Sequence, residues 1–275
     1  MSRTIVRWLG AVALLTLAQA VAQMVCGALL MRDAPAPPGN FLAWALLVQV
    51  LTAVFALVLA RNFQAASPLR ALVLFAVFFG IPANYLAEAF FFDIGVGRPM
   101  LVRLYAMSLL AAAVLALVAD RLSPRAATGA SPAVPGWPVR LLGGALAYVV
   151  FYFAVGMAAI PFIADFYAGR AMPPFPELIA VQLVRGLAFA GVAWLVASFV
   201  PGSRLGRAAW AGVTLSVVGG VIPLLAPNAF LPDYVRLVHL AEVGVSNFLF
   251  GLVAGLLLTA AGPASARADA LAASH

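Results

Sequence analysis

Long apolar runs, each bounded by a short gap that collects the charges, constrain this chain more than any other feature. A helix needs about 20 apolar residues to cross a hydrocarbon core about 30 Å thick. Eight runs qualify: Trp8–Met31, Phe41–Ala60, Ala71–Phe92, Met100–Val118, Val139–Ile163, Glu177–Val200, Ala208–Ala226 and Val235–Ala261. They are long and rich in Ala and Leu, whereas the strands of a membrane barrel would be short and would alternate in polarity. Apolar residues make up 65% of the chain and charged ones 9%, too few polar groups to coat a water-soluble fold of this size. The expected fold class is therefore all-α, a polytopic membrane bundle of eight transmembrane helices with the lipid bilayer as its first partner.

The gaps read as turns. Asp33 to Gly39 and Arg170 to Pro174 are interrupted by prolines that cannot continue a helix. The stretch 120–138, rich in Pro, Ser, Gly and Ala, reads as a linker, and 262–275 as a disordered tail.

All sixteen basic residues are arginine, which removes any Schiff-base lysine. Ten of them fall on one side of the eight-span topology: Arg3, Arg7, Arg61, Arg70, Arg121, Arg125, Arg140, Arg204, Arg207 and Arg267. Five fall on the other, and Arg185 lies within a span. The positive-inside rule then places both termini in the cytoplasm, with a bacterial cytoplasmic (inner) membrane as the expected location. Trp8, Trp137 and Trp210 at inner ends, and Trp44, Tyr167 and Tyr234 at outer ends, fit interfacial belts. The net charge of +7 follows from this sorting. With no soluble basic domain to carry it, no nucleic acid is expected as a partner.

The two halves share anchors. Val6-Arg7, Val48-Gln49 and Val102-Arg103-Leu104 recur as Val139-Arg140, Val181-Gln182 and Val235-Arg236-Leu237 at a constant shift of 133, while Ile81-Pro82 recurs as Ile222-Pro223 at 141. The expected organisation is two parallel four-helix repeats, 1–119 and 139–261, joined by a cytoplasmic linker at 120–138. Four spans per repeat insert both halves the same way, with the symmetry axis along the membrane normal. The correspondence is not chemical identity: Thr52, Ala106 and Leu109 of the first half align with Arg185, His239 and Glu242 of the second.

Arg185 and Glu242 break the rule that charges sit in gaps. Counted from the outer ends of their spans at 1.5 Å per residue, they lie roughly 12 and 10 Å deep. A lone charge at such depth is costly, so the two are expected to pair inside the bundle. Arg236, His239, Glu242 and Ser246 share one helical face, Asn247 follows, and Gln182 lies one turn outside Arg185. These seven residues form the expected ligand-binding set, a polar funnel open to the outer side.

Other chemistry is poorly provided for. The only histidines are His239 and the terminal His275, and there is one cysteine, Cys26. No bis-histidine haem site, metal-ligand motif, serine-hydrolase elbow or phosphate-binding loop stands out, so no metal, cofactor or catalytic residue is expected. The leading expectation is a carrier or channel for a small solute. The alternatives are a non-catalytic membrane subunit or scaffold within a homo- or hetero-oligomer, and an intramembrane enzyme acting on a lipid or quinone.

Overall fold

The computed structural model describes residues 3–31, 39–91, 96–124, 135–170, 173–228 and 230–259. The described residues are helical with no strand, and eight helices are long and apolar enough to cross a membrane. They are α1 (Arg3–Leu30), α2 (Phe41–Asn62), α3 (Leu69–Glu88), α4 (Arg98–Leu122), α5 (Trp137–Tyr167), α6 (Phe175–Phe199), α7 (Arg204–Leu225) and α8 (Asp233–Leu258). Each covers one expected span to within a few residues. Asp120–Leu122 and Trp137–Pro138, read from sequence as linker, belong to α4 and α5; the interior of that linker and the 262–275 tail lie outside the described residues.

Large apolar side chains face outward: Met24, Leu42, Val139 and Met157 are each more than 70% exposed. Such a surface suits hydrocarbon and not water. Inward, Tyr148 on α5, Phe189 on α6 and Phe250 on α8 meet ring to ring with centroids 5.2–6.5 Å apart.

One end of the bundle is clamped by arginines. Arg70, at the start of α3, pairs with Asp120 near the end of α4 at 2.6 Å and donates to the carbonyls of Asp120 and Pro124. Arg140, at the start of α5, donates to Leu257 O, and Arg204, at the start of α7, donates to Leu256 O. These bonds satisfy carbonyls that a helix C-terminus leaves without partners, at the negative end of its dipole. They also bring starts of odd-numbered helices against ends of even-numbered ones, as up-and-down packing requires.

The tightest seam joins α7 to α8. A β-carbon on Gly251 would lie 2.7 Å from Gly212 Cα, one on Gly255 2.6 Å from Ala208 Cα, and one on Gly220 2.8 Å from Gly244 N. Gly251-x-x-x-Gly255 thus marks backbone-to-backbone contact. Along α7 the helix widens into a π turn at Val217–Val221, just before Pro223. Proline lacks an N–H and its ring crowds the carbonyl four residues back; a π turn containing Gly219 and Gly220 relieves that crowding. Pro82 and Pro161 are housed inside α3 and α5.

Gly251→Val is therefore expected to destabilise the bundle by at least the ~1–3 kcal/mol typical of overpacking, read as a lower melting temperature in detergent. Gly191→Ala, where a β-carbon meets nothing within 4 Å, should leave it unchanged or slightly raised.

Candidate functional site

Arg185 lies ten residues into α6, roughly 15 Å from its start at 1.5 Å per residue, and is 2% exposed. Its partner is Glu88, and this corrects the expected pairing with Glu242. Arg185 Nη1 stands 2.6 Å from Glu88 Oε2, while Glu242 Oε2 is 2.6 Å from His239 Nδ1.

The Arg185–Glu88 pair is held by further hydrogen bonds. Glu88 Oε1 accepts from the Tyr152 hydroxyl at 2.8 Å and from Gln182 Nε2 at 3.0 Å. Gln182 Oε1 accepts from Arg185 Nη1 at 2.7 Å, closing a ring of guanidinium, carboxylate and amide. A reciprocal clasp lies beneath: Arg185 Nε donates to Asn84 O at 3.1 Å, and Asn84 Nδ2 donates to Arg185 O at 2.9 Å. The rings of Tyr85, Tyr148, Tyr152 and Phe189 surround the guanidinium carbon at 5.6–6.0 Å, and their π faces favour a cation that has lost its water. Charge, hydrogen bonds and aromatic faces together offset a burial that would otherwise be prohibitive.

Beside it lies a second group. His239 and Glu242 are about one-fifth and one-seventh exposed in their side chains, and the Tyr167 hydroxyl lies 3.1 Å from His239 Nε2. With neutral imidazole, Nδ1 donates to Glu242 and Nε2 accepts from Tyr167; with imidazolium, both nitrogens donate and the tyrosine must turn to accept. Gly156 on α5 leaves Glu242 its room, since a β-carbon there would lie 3.4 Å from Oε1. Tyr85, Tyr148 and Tyr167 each lie within electrostatic reach of both Glu88 and Glu242, so the two groups form one polar region between α3, α5, α6 and α8.

The rest of the expected set bonds to neighbouring turns and helices. Arg236 donates to Leu224 O, Leu225 O and Asp233, and is 6% exposed. These bonds cap the end of α7. Ser246 donates back to Val243 O of its own helix. Asn247 bonds the Tyr85 hydroxyl and Leu215 O, tying α8 to α3 and α7.

Sequence reasoning missed Glu88, Tyr152 and Asn84, and the countercharge of Arg185 comes from the first half of the chain. The signal was present: Glu88 is an acid inside the run Ala71–Phe92, but its nearness to the outer end made it look interfacial.

No family model, curated protein or solved structure matches the chain.

Glu88→Leu should strand the buried guanidinium and cost about 3–5 kcal/mol, while Glu88→Leu combined with Arg185→Leu should recover much of that loss. Melting temperatures of the two variants and of Arg185→Leu measure the coupling, and equal losses in the first two would show that the pair does not stabilise the fold.

Proposed function

We propose that this chain is a proton-responsive carrier or channel for a small solute in a bacterial inner membrane, with both termini cytoplasmic and two parallel four-helix repeats. The observation that carries the reading is the His239–Glu242 couple beside an Arg185–Glu88 pair whose two charges cancel. Arg185 cancels Glu88, so Glu242 leaves the region one negative charge in excess unless His239 is protonated or a cation enters. A net charge is expensive in a membrane interior, so occupancy by a proton or solute is coupled to which arrangement of the helices is stable.

Helix packing supports the repeat. Within the first half α1–α2, α1–α4, α2–α3, α2–α4 and α3–α4 are in contact; α5–α6, α5–α8, α6–α7, α6–α8 and α7–α8 are their counterparts. Between the halves, α3–α6 is answered by α2–α7. A twofold axis along the membrane normal exchanges these pairs, and the polar region then lies where α3 of one half meets α5, α6 and α8 of the other. In this reading His239 and Glu242 face the solute or proton, Arg185 and Gln182 hold Glu88, and Arg236, Ser246 and Asn247 hold the helices.

The scaffold alternative draws on one observation, that Arg185 is bonded at both Nε and Nη1 by groups of α3 and α6. It accounts for the Arg185–Glu88 pair and leaves the charge of Glu242 without a role.

Liposomes containing the purified chain and an entrapped pH dye should show proton flux that small solutes accelerate under an imposed gradient. Glu242→Gln should slow that flux about tenfold, equivalent to about 1.4 kcal/mol on a barrier, with the protein still monodisperse. Flux no greater than in protein-free liposomes, or unchanged in Glu242→Gln and His239→Ala alike, would reject the carrier. Orientation is checked separately in a Cys26→Ser background: a membrane-impermeant maleimide applied to whole cells should label Tyr234→Cys and spare Ser203→Cys.

A further inference from the structure

We infer that a cavity among α1, α2, α3, α4 and the end of α7 is a binding site for an uncharged, hydroxyl-bearing amphiphile, distinct from the Glu88–Arg185 and His239–Glu242 region. Its volume is about 380 Å³, within the ~300–1,000 Å³ typical of small-molecule sites. Gln19, Gln23, Gln49, Thr52 and Ser108 contribute the polar lining, and among the described residues no charged one contributes to it. The remaining wall is apolar, with Phe78, Met107 and Leu115 among it.

Glutamine is an expensive residue to gather inside a membrane bundle, and here three share one cavity. Their mutual bonds do not exhaust them. Gln49 Nε2 donates to Gln23 Oε1 at 3.0 Å, and Gln19 Nε2 donates to its own helix at Leu15 O. Gln49 Oε1 is buried with no hydrogen-bond partner. Leaving such a group unmet is costly, and a ligand that Gln49 turns to meet recovers that cost on binding. A hydroxyl both donates and accepts, so it satisfies the Gln49 amide whichever way the amide is turned.

Charge and depth narrow the ligand. Gln49 lies eight residues into α2, roughly 12 Å from its end at 1.5 Å per residue. An anion or cation at that depth would find no countercharge, so the ligand is neutral. The apolar wall favours a hydrocarbon body over a bare polyol, since a polyol would leave that wall uncovered and bury its own surplus hydroxyls. Gln23 is exposed while lining the cavity, which supplies an entrance. Medium-chain alcohols and monoacylglycerols have this chemistry. The site does not depend on the carrier reading, because binding there requires no transport.

The test uses the full chain in detergent and a monoacylglycerol carrying a diazirine in its acyl chain. Photolabelling should map by mass spectrometry to α1, α2 and α4 around Gln49. Monooctanoylglycerol should compete, and glycerol and octanoate at equal concentration should not. Gln49→Leu should reduce labelling about fivefold, the loss expected for one net hydrogen bond, with elution and melting temperature retained. Labelling spread over the outer apolar surface, or insensitive to both competitor and Gln49→Leu, would overturn the site. Competition by glycerol would overturn the amphiphile, and competition by octanoate the requirement for neutrality; both arms use the unaltered chain and so do not depend on a variant folding.

Discussion

An ionised guanidinium at the centre of an apolar bundle is the constraint around which the other groups are arranged. Arg185 cannot be neutralised by losing its proton, so the fold must supply what water would have given. Glu88 supplies the countercharge, Gln182 and Asn84 the acceptors, and Tyr85, Tyr148, Tyr152 and Phe189 the aromatic faces. These groups come from α3, α5 and α6. The cation therefore does more than join two neighbours: it forces α3, from the first half of the chain, to dock against the second. Compensation at one atom becomes a rule about which helices may touch.

The same compensation separates two roles that depth alone had merged. Arg185 and Glu242 stand at similar depth on α6 and α8, and residue counting makes them look like a pair. Depth along a helix says nothing about which neighbour a side chain faces, and α6 also contacts α3. Glu88, placed at the end of α3, reaches the guanidinium first. What was legible from sequence was what composition and period determine: eight helices, the arginine-rich end, and the one-turn spacings of His239 to Glu242 and of Gln182 to Arg185. What was hidden was everything set by the rotation of one helix against another, including Tyr152 on Glu88 and the clasp between Asn84 and Arg185. The Gly251-x-x-x-Gly255 seam falls between these cases, since spacing put two glycines on one face and only the packing showed Gly212 and Ala208 opposite them.

If the halves descend from one repeat, as proposed, the charged region and the cavity occupy corresponding places. At a shift of 133, Gln19 answers Tyr152, Thr52 answers Arg185 and Gln49 answers Gln182. The first half carries the smaller member at the first two of these positions and lines most of an open cavity of about 380 Å³; the second carries a phenol and a guanidinium that meet a carboxylate. One half has closed its polar site with its own side chains and the other has left it open. Filling such a site with an ion pair gains rigidity of orientation but commits the helices to one docking arrangement. Leaving it lined by amides keeps the polar groups weak, uncharged and available to a guest. Two copies of one scaffold can in this way diverge into a fixed joint and a receptive pocket without any change in the course of the chain, because the difference lies in the side chains at positions 19 and 52 against 152 and 185.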